Sequence, residues 1–468
     1  MTSRVPPAKI DALGPEGSYR TRRRQTLTDV AGEVVAELSL VPPLYIERTV
    51  AALRRAPARP AQEQAALVAK AAGMFASATL ADQSVDQYQY AVSRVGGIPI
   101  SVVRAATRTT AERLAQVAET VECARPAGTV RDWRAPATAS GSGVWLRRGE
   151  VLAVNAAGNH PGTHSLWPEA FALGYRVAVR PSRRDPYTPR RLIAALRAAG
   201  LDDDQAALLP TDHEHAGTLV RSADLSMVYG DDAVVRRYVG DPTVLPQGPG
   251  RSKILLTAEA DWRRHLGTII DSIAGNAGTG CVNATAILVE GDPAPLCAEL
   301  AARLAAFRAY RPEDDRAVLP VQPSGAARAI ERHLLRRASG TRAWLGGDGV
   351  AEDLGDGSAA LRPALHQLDR ADAPQAAVEL PFPCVWVAPW RRADGVGPLR
   401  NSLVLTAFTH DTELIERLVT EPTIGNVHVG DHPTSQMTAG LPHDGYLAEF
   451  LMRSKTVIHD PPRSGGLP

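Results

Sequence analysis

Hydrophobic residues between positions 151 and 257 come in short apolar runs separated by segments of helical spacing. The runs predict strands at 151–154, 176–179, 206–209, 225–229 and 253–257, and the intervening pattern predicts helices at 163–173, at 188–199 and up to about 239. Thr211 and Glu214 also form a possible capping box for a short helix. Strands that alternate with helices are typical of a parallel, doubly wound sheet.

The second half of the chain shows a similar succession of predicted helices and strands. Residues 259–274 place five apolar side chains on one helical face, and the segment ends at Gly275. Apolar strands are predicted at 284–290, near 385–388 and near 403–407. The Gly- and Asp-rich segment 346–363 is predicted to be a surface loop. The sequence therefore predicts an α/β protein with a second α/β region.

The first 150 residues are patterned differently. Residues 26–123 are predicted to be mostly helical, with Pro42-Pro43 separating two helices. Residues 124–150 are rich in Pro, Gly, Ser and Thr and predict a β-hairpin or an extended excursion. Residues 1 to about 25 are rich in Pro, Gly and charge, so we expect them to be loosely ordered.

Composition narrows the class of protein. The chain has 468 residues, 44% hydrophobic and 22% charged, with a net charge of +1. This balance gives no drive toward nucleic acid, and no apolar run is long enough to span a bilayer. The four cysteines fit neither a disulfide framework nor a zinc site, so we expect no metal and a reduced, cytoplasmic protein.

The most informative stretch runs from Asn276 to Cys281, with the sequence NAGTGC. A cysteine that follows glycines, between a long helix and a strand, has backbone N–H groups around it. Such donors can lower a thiol pKa and stabilise an oxyanion. The alternative is that Cys281 is a small buried hydrophobic residue.

Five motifs together resemble the aldehyde dehydrogenase superfamily. The Asn-x-Gly-x-x-Cys pattern ending at Cys281 is similar to its nucleophile motif, and four others follow the family's order: Gly158-Asn159-His160-Pro161, Arg180-Pro181-Ser182, Tyr229-Gly230-Asp231 and Glu379-Leu380-Pro381-Phe382-Pro383. The match covers roughly residues 100–468. The run from Pro42 to Arg48 also resembles the acyl-CoA reductases of bacterial luminescence.

The resemblance implies roles for individual residues. Cys281 would be the nucleophile, and the Asn159 side chain with the Cys281 backbone N–H would form the oxyanion hole. The cofactor would be bound by Arg180, Ser182, Gly230 and Glu379, with Glu379 on the nicotinamide ribose and Arg180 near the adenosine ribose. Asn159 also lies after a strand of an open α/β sheet, where ligands bind.

The resemblance also implies a domain organisation. We expect a flexible N-terminus at 1–25 and a Rossmann-type cofactor-binding domain at 26–255, interrupted by an oligomerisation excursion at 124–150. A catalytic domain at 256–430 and a C-terminal oligomerisation or tail segment at 431–468 would follow. A homodimer or homotetramer is expected, because the excursion and the tail resemble the superfamily's dimerisation elements.

One departure from the family predicts the reaction. Hydrolytic members carry a glutamate base in a Glu-Leu-Gly-Gly segment, whereas the corresponding residues 244–251 contain no carboxylate and include Gln247. Water attacks a thioester poorly without a base, so a thiol is expected to donate or accept the acyl group. We therefore expect reduction of an acyl-CoA or acyl-carrier-protein thioester to an aldehyde through acyl-Cys281.

A second departure concerns the cofactor. Arg183 and Arg184 follow Ser182 where NAD-dependent members often place a carboxylate. A guanidinium group binds a 2′-phosphate and offers a ribose hydroxyl no acceptor, so NADPH is favoured. Asp185 keeps NADH possible, and both arginines could instead point into solvent.

Other functions stay open at this point. The chain could oxidise an aldehyde to a free acid, with a base supplied from elsewhere, or to an acyl-CoA. It could be an acyl-phosphate reductase, which also forms an acyl-cysteine. It could also be a scaffold that binds nucleotide or a protein partner without turnover, although the Asn159 and Cys281 pair favours an enzyme.

Overall fold

A computed structural model describes residues 7–438 and 440–459. Its main features are two seven-stranded sheets, one built from the first half of the chain and one from the second. The expectations for residues 1–6 and for the end of the tail, 460–468, lie outside the described residues. No helix among the described residues is long and apolar enough to cross a membrane.

The N-terminal segment is built from strands. They are β1 (Ala8–Ile10), β2 (Ala12–Gly14), β3 (Gly17–Tyr19), β4 (Arg24–Thr28) and β5 (Val34–Ser39). The expectation of loose order is therefore wrong from Ala8 onward, and the helix expected before Pro42 is wrong. In β5, Ala36 and Leu38 are buried at the period of two that a strand requires, and β5 pairs with β1 and β4.

Helices follow as predicted from Pro43 to Cys123. They are α1 (Pro43–Arg55), α2 (Ala61–Ser77), α3 (Val85–Gly96), α4 (Ile100–Ala115) and α5 (Val117–Cys123). Pro43 occupies the first turn of α1, where a missing N–H costs little. Ser84 and Gln87 form a capping box that fixes the start of α3.

The first large sheet carries the predicted strand–helix alternation. Its region contains β6 (Ser142–Arg147), β7 (Val151–Asn155), α6 (Glu169–Ala172), β8 (Arg176–Arg180), α7 (Tyr187–Ala199), β9 (Ala206–Leu208), α8 (Ala216–Ser222), β10 (Leu225–Tyr229), α9 (Asp232–Tyr238) and β11 (Val244–Gln247). The strand order is β11-β10-β7-β8-β9-β2-β3. The four strands predicted between 151 and 229 are confirmed, and β7 to β11 are parallel.

Two helix starts differ from the prediction. The helix expected at 163–173 is reduced to a single turn at Pro161–Ser165 and the short α6, because Pro168 interrupts the hydrogen-bond ladder. The capping box expected at Thr211 does not form. The Thr211 hydroxyl donates instead to the Val41 carbonyl, and α8 begins only at Ala216.

The second sheet has the order β15-β18-β19-β13-β12-β20-β21. Its region contains β12 (Ser252–Leu256), α10 (Leu266–Ala274), β13 (Ala284–Glu290), α11 (Ala294–Ala305), β14 (Val321–Pro323), α12 (Ser324–Arg337), β15 (Arg342–Leu345), β16 (Ala351–Asp353), β17 (Ser358–Leu361), β18 (Ala364–Gln367), β19 (Cys384–Trp390), β20 (Ser402–Phe408), α13 (Thr412–Thr420), β21 (Ile424–Val429), α14 (Leu447–Leu451) and β22 (Met452–Val457). The strands predicted near 284–290, 385–388 and 403–407 are confirmed.

Two expectations for this half need correction. Strand β12 pairs with β13 and β20, so the chain has joined the second sheet by Ser252, a few residues before the expected boundary at 255. The segment 346–363 is not simply a loop, because it contains β16 and β17, which pair with each other. Buried Ala359, Ala360 and Leu361 in β17 give this segment its hydrophobic contacts.

The excursion at 124–150 contains one strand, β6, which does not form a local hairpin. It pairs antiparallel with β22, from Ser142 opposite Val457 to Arg147 opposite Met452. The excursion and the C-terminal segment therefore form one two-stranded ribbon. The two segments expected to serve oligomerisation are thus in contact with each other, about 300 residues apart in sequence.

Candidate active site

The backbone turns sharply before Cys281. Helix α10 ends at Ala274, and Asn276, Ala277 and Gly278 then adopt positive φ values of 53°, 58° and 65°. Such values disfavour an alanine, so the surrounding structure must hold Ala277 in place. Glycine is required at 278, because a Cβ there would lie 2.3 Å from the Pro383 nitrogen. This reversal delivers Cys281 to the cleft between the two sheets.

Side-chain hydrogen bonds fix the loop. The Asn283 carboxamide accepts from the Gly280 N–H at 3.0 Å and donates to the Gly275 carbonyl at 2.6 Å. The Ser252 hydroxyl donates to the Cys281 carbonyl at 3.0 Å. Gly250 allows the β12 entry to approach, because a Cβ there would lie 1.8 Å from the same carbonyl oxygen. The nucleophile candidate therefore sits on a rigid support.

Asn159 is brought to this loop from the other sheet. It follows β7, and its Nδ2 donates to the Thr279 carbonyl oxygen at 2.8 Å. A carboxamide has two N–H donors, and this bond uses one. The two residues that the sequence paired, Asn159 and Cys281, therefore both line the same cleft.

The thiol of Cys281 is held in its protonated form. Burial and the Glu379 carboxylate together raise its pKa to about 12, although the backbone N–H groups of Cys281 and Val282 act in the opposite direction. A thiol is a weak nucleophile compared with a thiolate. Reaction at Cys281 therefore requires a group that removes its proton.

A histidine lies next to this thiol. His443 Nε2 is 3.9 Å from Cys281 Sγ, and His443 comes from the segment that precedes α14. Burial, together with the charge of Arg113, lowers the pKa of His443 to about 4, so its imidazole is neutral at neutral pH. Sequence reasoning missed His443, because it stands 162 residues from Cys281 and belongs to none of the five motifs.

Gln247 ends β11 and lines the cleft beside Cys281. Its backbone carbonyl accepts from the Gly230 N–H at 3.0 Å, which ties the end of β11 to β10. Its side chain is a neutral carboxamide, which does not remove a proton from water at neutral pH. Gln247 stands where hydrolytic members of the resembled family are expected to carry a glutamate, and its side chain does not act as a base.

A small second cavity of about 30 Å³ adjoins Gln247 and His443. Its lining includes Arg113 from α4 and Glu169 from α6, along with apolar side chains such as Leu166 and Met227. Burial raises the pKa of Glu169 to about 7, and the Arg113 charge opposes the shift. The cavity is small and has two ionisable groups, Arg113 and Glu169, in its wall.

The larger cleft, of about 730 Å³, extends away from Cys281 along the strand ends. Four predicted cofactor residues line it: Ser182, Arg184, Gly230 and Glu379. The Glu379 carboxylate accepts from the Arg251 backbone N–H at 2.8 Å, which orients it at the floor of the cleft. Its volume falls within the roughly 300–1,000 Å³ of ligand clefts.

Arg180 and Arg183 are placed elsewhere. Arg180 is buried, with its guanidinium 3.5 Å from His213 Nδ1, and it is not among the residues that line the described cleft. Arg183 is exposed. Burial lowers the pKa values of Arg180 and His213, and the charge of Arg183 lowers them further. The structure therefore divides the predicted cofactor residues into four that line the cleft and two that lie beyond it.

Comparisons with known proteins agree with this architecture. A model of the aldehyde dehydrogenase family matches residues 19–454. An aldehyde-dehydrogenase-like protein of Sinorhizobium fredii is 23% identical over 134 residues, so the match covers 28% of this chain and only 26% of that relative.

Solved structures are similar over nearly the whole chain. γ-Glutamyl-γ-aminobutyraldehyde dehydrogenase from Burkholderia cenocepacia is 19% identical, with 96% of each chain covered and a TM-score of 0.81. Lactaldehyde dehydrogenase from Escherichia coli is 16% identical, with 97% of this chain and 100% of that chain covered and a TM-score of 0.81. Indole-3-acetaldehyde dehydrogenase, solved with NAD+, is 15% identical, with 97% and 98% covered and a TM-score of 0.81. The predicted fold is confirmed.

Proposed function

The chain belongs to the aldehyde dehydrogenase family, and we propose that, as an NAD(P)-dependent oxidoreductase of that family, it reduces an acyl thioester to an aldehyde through an acyl group on Cys281. The observation that carries this proposal is Gln247, a neutral carboxamide at the cleft position where hydrolytic members have a glutamate. An acyl-Cys281 without that base is attacked slowly by water and survives until another reaction removes it.

Two residues serve the acyl-transfer step. Cys281 attacks the thioester carbon, and the free thiol leaves. Asn159 offers its second Nδ2 hydrogen to the carbonyl oxygen, which becomes negatively charged during attack. The loop contacts of Asn283 and Ser252 keep the thiol and this donor in register, so little reorganisation is needed when charge develops.

The cleft residues fit a dinucleotide cofactor. Ser182 and Arg184 supply a hydroxyl and a guanidinium at one end, and Glu379 supplies a carboxylate acceptor near Cys281. A nicotinamide cofactor bound there would supply the reducing equivalents. We propose that Arg184 makes NADPH the preferred form, because it lines the cleft and its charge suits a 2′-phosphate. Arg180 and Arg183 add positive charge beyond that end.

The small cavity indicates the size and polarity of the acyl group. Its volume of about 30 Å³ is roughly that of one water molecule in the liquid, so it has room only for the end of a short acyl group, beside Arg113 and Glu169. A long aliphatic chain does not fit this volume and would remove water from these two ionisable groups, which costs free energy. The proposed substrate is therefore a short, polar acyl thioester of CoA or of a carrier protein.

The two-stranded ribbon of β6 and β22 suggests an assembly. Family members are commonly oligomeric, and the ribbon joins the excursion to the C-terminal segment in one exposed element. We propose a homodimer or homotetramer that uses this ribbon.

A second candidate function is oxidation of an aldehyde to a free acid, the reaction supported by the family as a whole. One observation favours it: the neutral imidazole of His443 beside Cys281 could activate water in place of the missing glutamate. The two functions predict opposite fates for acyl-Cys281.

Intact mass spectrometry separates them. Incubation with a short acyl thioester and no cofactor should build up protein carrying one acyl group on Cys281, and Cys281→Ser should carry none. Adding NADPH should release the group as aldehyde, and adding CoA should release it as thioester. Rapid loss of the acyl group as free acid, without either addition, would contradict thioester reduction and support aldehyde oxidation.

A further inference from the structure

The Cys281 thiol and the His443 imidazole form a pair that spans the chain. Nε2 and Sγ are 3.9 Å apart, a distance at which a small movement completes a hydrogen bond to sulfur. The pair joins the loop after α10 to the segment before α14. No sequence motif links these two segments, so the contact exists only in the folded protein.

The backbone of His443 is anchored from the second sheet. The Asn426 side chain on β21 donates to the His443 carbonyl oxygen and to the Leu403 carbonyl oxygen of β20. One carboxamide thus ties the His443 segment to the strands that flank the cleft. The imidazole is therefore held at a defined place beside the thiol.

Both members of the pair are neutral at neutral pH. Burial raises the pKa of Cys281 and lowers that of His443, so the proton stays on sulfur while an imidazole nitrogen is free to accept it. His443 Nδ1 has no hydrogen-bond partner among the described residues. The charged and titratable groups that act on the pair come from several elements: Arg113, Tyr229, Glu379 and Asp444. Glu169 lines the small cavity that also borders His443.

Two other groups that line the cleft, Gln247 and Glu379, are less suited to take the proton. Gln247 is neutral, and the Glu379 carboxylate already accepts from the Arg251 backbone N–H. The His443 imidazole is unprotonated at neutral pH, so a ring nitrogen can accept the thiol proton. His443 is therefore the candidate that combines position, protonation state and chemistry.

We propose that His443 is the general base and acid of acyl transfer at Cys281. As the S–C bond to the thioester carbon forms, the thiol proton moves to Nε2 and the carbonyl electron pair moves to oxygen. When the intermediate collapses, the C–S bond to the departing thiol breaks, and that thiolate takes the proton from the imidazolium. The products are acyl-Cys281 and a free thiol, with His443 neutral again. The identity of the acyl donor rests on the proposed function, whereas the proton transfer from Cys281 to His443 does not.

Alkylation of Cys281 by iodoacetamide tests the pair without substrate or cofactor. Peptide mass mapping would follow Cys281 separately from the exposed Cys123. Wild-type protein should react at similar rates between about pH 6 and 8, because the imidazole accepts the proton throughout that range. His443→Gln should slow the reaction at pH 7 by about 10²-fold, and its rate should keep rising with pH toward the thiol pKa. His432→Gln, an exposed histidine of the same segment, should match wild type.

Chemical rescue distinguishes proton transfer from a packing role. His443→Ala leaves space for a free imidazole, which should restore much of the alkylation rate in a concentration-dependent way if only the base is missing. The proposal would be overturned by an unchanged pH profile in His443→Gln. It would also be overturned if His443→Ala reacts slowly, melts at the normal temperature and is not rescued by imidazole.

Acylation by a short acyl thioester then separates this inference from the proposed function. If alkylation depends on His443 but no thioester acylates the wild-type protein, the pair stands and thioester reduction fails. If the thioester acylates wild type and His443→Gln at equal rates, thioester chemistry stands and the role of His443 fails.

Discussion

Replacing Asn159 with Ala removes the proposed donor to the oxyanion. The Asn159 amide is held 2.8 Å from the Thr279 carbonyl, two residues before Cys281, so its remaining N–H is positioned next to the nucleophile. Loss of one such donor typically costs about 10²–10³ in rate, or about 2.7–4 kcal/mol of barrier. We expect Asn159→Ala to slow acylation of Cys281 by that factor.

The same substitution also has a smaller structural effect. It deletes the hydrogen bond to Thr279, a neutral bond that contributes about 0.5–1.5 kcal/mol to the free energy of unfolding. In a protein of this size, that loss lowers the melting temperature by no more than about 2–4 °C. The catalytic loss should therefore exceed the stability loss, and the two are measured separately.

Quenched-flow intact mass spectrometry measures the acylation rate, and thermal melting measures stability. Asn159→Asp keeps the shape of the side chain but places negative charge near the oxyanion, so it should be at least as slow as Asn159→Ala. Asn155→Ala, at the end of β7 and outside the lining of the cleft, is the matched control and should acylate normally. A loss of less than about tenfold in Asn159→Ala, or about 1.4 kcal/mol, would refute the oxyanion role.

Two further predictions concern the cofactor and pH. Arg184→Glu should weaken NADPH binding more than NADH binding in a fluorescence titration. Arg183→Glu should have a smaller effect on NADPH binding, because of the two arginines only Arg184 lines the cleft. Equal losses of NADPH and NADH binding in Arg184→Glu would contradict this prediction. Burial raises the pKa of Glu169 to about 7 in the folded protein, whereas the unfolded chain loses this proton near pH 4.5. Glu169 therefore lowers the free energy of unfolding progressively as the pH rises from about 4.5 to 7. Glu169→Gln should therefore raise the melting temperature at pH 8 and not at pH 4.5, while the exposed Glu112→Gln should do neither.

Local patterns predicted the centre of each sheet. The strands at 151–154, 176–179 and 225–229 are largely apolar runs, with Arg176 and Ser226 as the exceptions, and each is an inner strand of the first large sheet. Central strands are buried on both faces, so their composition alone identifies them. The same pattern failed for the N-terminal strands, where short, half-exposed segments such as Gly17–Tyr19 carry little hydrophobic signal.

Motifs identified residues that their own loops place at the cleft. Cys281 and Asn159 each follow a regular element of a recognisable pattern, and each lies at the cleft. The arginines after β8 show the limit of this reasoning. Two adjacent residues carry the same charge, yet Arg184 lines the cleft and Arg183 does not. Side-chain direction at a turn depends on the neighbouring segment, here the Gly96 carbonyl that accepts from Arg184.

By itself, the sequence determined the alternation of strands and helices, the two α/β regions and the loop that carries Cys281. These features depend on residues close in the chain, where hydrophobic period and turn residues act directly on the backbone. Only the tertiary structure decided the membership of β12 in the second sheet, the ribbon of β6 with β22, and the position of His443 beside Cys281. Contacts between segments far apart depend on how whole elements pack, and local periodicity carries no information about which distant side chain will meet a given one.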